Sequence, residues 1–167
     1  MIRLTRQADY GVVVMTHFAS RDGFETMTAR DVAAETHLPL PMASKILKAL
    51  AKGDLLESHR GVNGGYSLAR KPSEISVADI ITAIEGPIGM TECSGEESDG
   101  CNIEGHCAVR GNWQLVNRVV QQALERITLA HMASPMPCDF ELVVAHRHGE
   151  PLPSLSMASR GETPPRR

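Results

Sequence analysis

Three cysteines, Cys93, Cys101 and Cys107, fall within fifteen residues, with seven and five residues between them. Thiolates are soft ligands for zinc and for iron–sulfur clusters, and a loop containing glycines can wrap three of them around one centre. The intervals are wider than the C-x-x-C pairs of zinc ribbons, although Glu104 or His106 in the same stretch could complete a tetrahedral site. Between positions 91 and 110 there are five carboxylates and one arginine, so the cysteines lie in an acidic loop. Cys138 stands beyond it with no partner nearby and reads as a plain thiol, and the scattered histidines read as structural or surface residues. The N-terminus lacks the apolar core of a signal peptide, and no apolar run is long enough to span a bilayer. A reducing, cytoplasmic setting with no membrane partner is therefore expected, which argues against a disulfide framework.

A second group of residues points to nucleic acid. Residues 38–71 hold six Lys and Arg against two carboxylates, in a chain whose net charge is −3. At helical spacing over 41–52, Ala43, Ile46, Leu47 and Leu50 share one face. Lys45, Lys48 and Lys52 cluster opposite, with Ser44 at the edge. A helix of this kind fits the major groove, where residues of its N-terminal half meet base edges and later lysines reach phosphates. Leu55–His59 and Tyr66–Leu68 follow as two short strands, and Gly61, Asn63, Gly64 and Gly65 supply a hairpin tip that can enter a minor groove. The candidate DNA-binding residues are Thr28, Arg30, Met42, Ser44, Lys45, Lys48, Arg60, Gly61 and Asn63. Aromatic residues make up only 4% of the chain, which argues against stacking platforms for single strands.

These side chains need elements to hold them. Leu4 to about Ser20 reads as a helix with Leu4, Val12, Val13, Met15 and Phe18 on its inner face. Thr28-Ala29-Arg30-Asp31 is a capping-box-like start to a short second helix. Pro41 suits the first turn of a third, which stops at Gly53. Ser76–Asp79 caps a fourth helix through Ile80, Ile81 and Ile84, ending at Gly86-Pro87. From about Arg110 to Ala130 a long helix, roughly 30 Å at 1.5 Å per residue, carries Trp113, Val116, Val120, Ala123, Leu124 and Ile127 in one stripe and Leu115 and Val119 in a second. That is more apolar surface than one side of a small domain needs, and it predicts a two-fold dimer. The expected fold is mainly α with a small β-hairpin wing. A winged helix-turn-helix domain spans 1–86, a cysteine loop 87–109, a dimerisation helix 110–133, and a largely disordered proline-rich tail 134–167. No Ser-His-Asp order and no phosphate-cradling glycine motif opening a helix is visible, so the chain reads as a non-enzyme. A zinc- or thiol-based regulator on the same fold stays open. So does a protein of iron–sulfur electron transfer or trafficking, which would need neither the lysine-faced helix nor the wing.

Arg3-Leu4-Thr5 with Asp9-Tyr10, Lys45-Ile46-Leu47, Arg60-Gly61-x-x-Gly64-Gly65-Tyr66-x-Leu68 and Ile75-Ser76-Val77 together resemble the Rrf-type winged-helix regulators of bacteria, which include the IscR- and NsrR-like iron–sulfur proteins. Ile84–Ile88, Thr91-Glu92-Cys93, Cys101-x5-Cys107 and Asn112-Trp113 look most like the regulators of the SUF iron–sulfur assembly system. The resemblance covers about residues 1–133. It implies a homodimer on an operator in double-stranded DNA, built on crossing long helices. It also implies an iron–sulfur cluster, 2Fe–2S ahead of 4Fe–4S, on the three cysteines, with cluster state setting operator affinity. Some members place a histidine ligand three positions after the third cysteine, where this chain has Arg110, which has no lone pair to give. Others donate an acidic residue of the first helix across the dimer. Asp9 stands at the matching place and is the expected fourth ligand, ahead of His106 and then Glu104.

Overall fold

A computed structural model describes residues 3–21, 25–61, 64–91 and 106–134. Six α-helices and one two-stranded sheet occupy these residues: α1 (Arg6–Ala19), α2 (Ala29–Glu35), α3 (Leu40–Lys52), β1 (Leu56–His59), β2 (Gly65–Leu68), α4 (Val77–Glu85), α5 (Arg110–Arg126) and α6 (Leu129–Ala133). A 3-10 turn, Pro72–Glu74, leads into α4. The strands pair antiparallel, with Leu56 opposite Leu68 and His59 opposite Gly65. This is a winged helix-turn-helix followed by a helical arm.

Local signals start most of these helices. Thr28 caps α2 in a full capping box, its hydroxyl accepting from the Asp31 N–H while the Asp31 carboxylate accepts from the Thr28 N–H. Ser76 and Asp79 do the same for α4. Pro41 occupies the first turn of α3, where a missing N–H costs nothing. One hydrophobic core joins Val14, Met15 and Phe18 of α1, Val32 of α2, Ile46, Leu47 and Leu50 of α3, Leu68 of β2, Ile80 of α4 and Leu129 of α6. A smaller cluster of Ala8, Val77 and Ile81 receives Leu124 and Ile127 from the arm.

Two expectations need correcting. Helix α1 begins at Arg6 with Thr5 as its cap, and Leu4 and Val13 are exposed; the inner face is Ala8, Gly11, Val14, Met15 and Phe18. The small residues Ala8 and Gly11 let α1 and α4 approach closely, with no room for a side chain at Gly11 before Ile84. The long helix, in turn, stops at Arg126 and spans about 26 Å. There the backbone is taken by a neighbour: the Val77 N–H donates to the Ile127 carbonyl and the Leu129 N–H to the Ile75 carbonyl, each at 2.8 Å. Thr128 then caps the separate helix α6.

Candidate nucleic-acid interface and cysteine segment

Helix α3 buries Ala43, Ile46, Leu47 and Leu50, so its opposite face stands in solvent. Lys45, Lys48 and Lys52 are exposed there and Ser44 is half-buried. Met42 is half-buried and packs against the core, lining a shallow depression with Thr5, Arg6, Gln7 and Glu85. Arg30 is exposed on the first turn of α2, and Arg60 is exposed at the end of the wing strand. Among the described residues, none of Arg30, Lys45, Lys48, Lys52 and Arg60 is paired with a carboxylate. Unpaired cations on one helix face and an adjacent hairpin are what phosphate contacts require.

Thr28 is committed to Asp31. Beyond the cap, its hydroxyl lies 2.6 Å from Asp31 Oδ2. These bonds, the side-chain one foremost, hold the Asp31 carboxyl below its ordinary pKa.

The wing explains its glycines. Gly61 has φ 108°, a left-handed conformation that costs other residues energy, yet open space surrounds it. At Gly65 the reverse holds: a Cβ would stand 2.5 Å from the Met27 carbonyl oxygen. That contact exists because Met27 and Tyr66 exchange two backbone hydrogen bonds, 2.9 and 2.8 Å, tying the wing to the segment before α2. Within the strands His59 Nε2 and Ser67 Oγ are 2.9 Å apart. Asn63 lies outside the described residues.

Of the cysteines, Cys107 is described and Cys93, Cys101 and Cys138 are not; Glu104 also lies outside the described residues. Cys107 is a half-buried free thiol, and its carbonyl accepts from the Arg110 N–H at 3.3 Å, at the turn into α5. His106 beside it is exposed. Asp9 is exposed on the first turn of α1. No group of three or more metal-ligating side chains comes together among the described residues. The donor chemistry of the segment suits a thiophilic centre: one free, partly shielded thiol at the helix entrance and two more sulfurs upstream in the same stretch.

Helix α5 packs against α4 along one side. Trp113, Leu115, Val116 and Val119 are 39–57% exposed. Its single buried residue is polar. Asn117 accepts from the Met90 N–H and donates to the Ile88 carbonyl, both at 3.0 Å. Sequence reasoning missed this residue, although a signal existed: Asn117 shares the helical stripe of Trp113, Val120 and Leu124, where an apolar residue would be expected. It also missed the contact in which the Thr5 hydroxyl donates to the Glu85 carboxylate, linking the cap of α1 to the end of α4. No described helix is long and apolar enough to cross a membrane.

Comparison with known proteins places this geometry. Residues 4–135 match the profile of the Rrf2 family, described as iron-dependent transcriptional regulators. The HTH-type transcriptional regulator IscR of Serratia proteamaculans is 30% identical over 146 residues, covering 87% of this chain and 86% of the relative. That of Sodalis glossinidius is 29% identical over 133 residues, covering 80% and 79%. Among solved structures, IscR of T. potens is 29% identical with a TM-score of 0.59, covering 78% of this chain and 85% of that one. CymR, the global cysteine regulator of B. subtilis, is 26% identical with a TM-score of 0.61, covering 80% and 97%.

Proposed function

The chain belongs to the Rrf2 family of DNA-binding transcriptional regulators, and from that premise we propose that it is a cytoplasmic homodimer whose grip on operator DNA follows iron–sulfur cluster supply, with the SUF assembly genes as its targets. Cys93, Cys101 and Cys107 would hold the cluster, 2Fe–2S ahead of 4Fe–4S, with Asp9 donated across the dimer as the fourth ligand, ahead of His106. When bound, such a cluster supplies a centre that is gained and lost with iron and oxidant levels. A carboxylate is a harder donor than a thiolate, so Asp9 would leave one iron easily released.

The observation that carries this reading is continuity of chain. Cys107 stands three residues before α5, and α5 presents an outward apolar row of Leu115 and Val119 flanked by Trp113 and Val116. A second copy covering that row would join the two DNA-reading heads through the helices that the cysteine segments enter. Any change in the ligand segment then alters the spacing of the heads, provided the two states differ in operator affinity. On each head, Lys45 and Ser44 would meet base edges in the major groove, Lys48, Lys52 and Arg30 would meet phosphates, and Arg60, Gly61 and Asn63 would reach the minor groove.

Anaerobically purified protein is expected to carry iron, acid-labile sulfide and broad visible absorption, and to footprint differently on its operator before and after cluster removal. Alanine at Cys93, Cys101 or Cys107 should abolish the colour and Cys138→Ala should keep it. Asp9→Ala should hasten cluster loss more than His106→Ala. A colourless zinc protein overturns the reading. The likeness to CymR supports a second one, a thiol-based regulator without metal, which a colourless protein with oxidation-dependent DNA affinity would establish.

A further inference from the structure

Asn117 is the one buried residue of α5, 6% exposed, on a helix otherwise exposed or half-buried. Asparagine is a mediocre helix former, and burying its amide is costly unless donor and acceptor are both matched. Both are matched here, and by backbone. Its Oδ1 takes the Met90 N–H and its Nδ2 gives to the Ile88 carbonyl. Those groups lie two residues apart on one edge of the chain, as a strand offers them to a neighbour. An amide that pairs with backbone reads the position of the segment rather than the identity of its side chains.

The location gives this pairing its consequence. Ile88 and Met90 precede Cys93, and α5 follows Cys107. The two bonds, spanning 27 and 29 residues of sequence, therefore fasten the entry of the cysteine segment to the helix that forms its exit. The exit is fastened too, through the bond from the Arg110 N–H to the Cys107 carbonyl. We propose that Asn117 is a positioning residue that locks the Ile88–Met90 backbone to α5, so that a shift of the cysteine segment moves the helix with it. This rests on the regulatory reading above for its biological meaning, while the lock itself stands on the geometry. Asn117 makes its two bonds to main-chain groups. It acts through the backbone it holds.

The test uses the full-length protein, with and without its cluster, as wild type, Asn117→Ser, Asn117→Asp and the exposed control Gln114→Ala. Serine is too short to span both groups, and aspartate keeps the acceptor but sets an oxygen against the Ile88 carbonyl. Hydrogen exchange at the Met90 amide should quicken roughly tenfold or more in Asn117→Ser, from loss of a buried partner, quicken less in Asn117→Asp, which keeps that acceptor but repels the Ile88 carbonyl, and stay at the wild-type rate in Gln114→Ala. The ratio of operator affinities between cluster-loaded and stripped protein should shrink toward one in the Asn117 variants, a change that general destabilisation, followed by thermal unfolding, does not produce. Wild-type exchange at Met90 in both variants overturns the lock. Faster exchange with an unaltered affinity ratio overturns the transmission. A wild-type protein without chromophore overturns the cluster reading instead, and the exchange result then decides the lock alone.

Discussion

Five exposed cations, Arg30, Lys45, Lys48, Lys52 and Arg60, face solvent on the winged-helix head without a carboxylate partner among the described residues. Each phosphate neutralised contributes about 0.9 to the slope of log affinity against log salt, so the three given to phosphates, Arg30, Lys48 and Lys52, contribute about 2.7 per protomer and about 5.4 for a dimer. Lys48 stands on the face of α3 opposite the buried Leu47 and Leu50 and projects from the middle of the helix. Lys48→Ala in a dimer with both heads engaged should therefore lower the slope by about 1.8. Across a fourfold rise in salt, the variant should lose roughly tenfold less affinity than wild type. Fluorescence anisotropy of a labelled operator duplex through a KCl series measures this directly, with Arg118→Ala on α5 as a control expected to leave the slope alone. A drop of about 0.9 would mean that one head binds at a time, against the dimeric reading. An unaltered slope would show that this face of α3 does not meet the phosphates, and the interface would have to be drawn elsewhere.

Other consequences are equally direct. Gly65→Ala forces a Cβ against the Met27 carbonyl and should cost about 1–3 kcal/mol in denaturant unfolding, with the wing displaced; Gly61→Ala, unobstructed but at positive φ, should cost about 1–2 kcal/mol. Thr28→Ala removes the side-chain cap of α2 and should cost about 1 kcal/mol. Because the Asp31 carboxyl is held below its ordinary pKa, its contribution is fully present above the unfolded value of about 3.9 and is lost as pH falls through the lower folded value. Asp31→Asn should flatten that part of an acid titration of stability, and an identical acid limb would count against the capping box. Val119→Lys places a charge at the most exposed large apolar residue of α5 and should convert the proposed dimer to monomers in light scattering; a variant that stays dimeric would move the interface off this helix.

Much of the reading head was legible because its signals are local. The capping boxes at Thr28 and Ser76, the stop at Gly53 and the opposed faces of α3 each depend on residues within one or two turns, and all are present in the fold. The glycines of the wing were legible as a turn, but their separate reasons were not. Gly61 answers to its own backbone angle, whereas Gly65 answers to Met27, thirty-eight residues earlier in the chain. Helix α1 misled for a related reason. Its inner face uses Ala8 and Gly11, chosen for close approach to α4 rather than for hydrophobicity, so a search for large apolar residues picked the exposed Leu4 and Val13 instead.

The arm shows where periodicity stops being informative. Its two apolar stripes were visible in the sequence, yet spacing does not tell which surface a stripe covers. Leu124 and Ile127 pack on the small cluster of α1 and α4, while Leu115 and Val119 point away from it into solvent. The helix also ends earlier than its composition suggests. Residues 127 and 129 carry good helical side chains, but the backbone groups of Ile75 and Val77 offer their hydrogen bonds at that point and Thr128 supplies a new cap. Local propensity of a few tenths of a kcal/mol per residue yields to such pairing. Asn117 is the same lesson in reverse. A polar residue in an apolar stripe looks like a weak position of a core helix until its two partners, Ile88 and Met90, are brought beside it. A sequence-level rule follows: an asparagine at a core position of a helix next to a ligand-bearing loop should be tested as a backbone clamp before it is read as a flaw in the stripe.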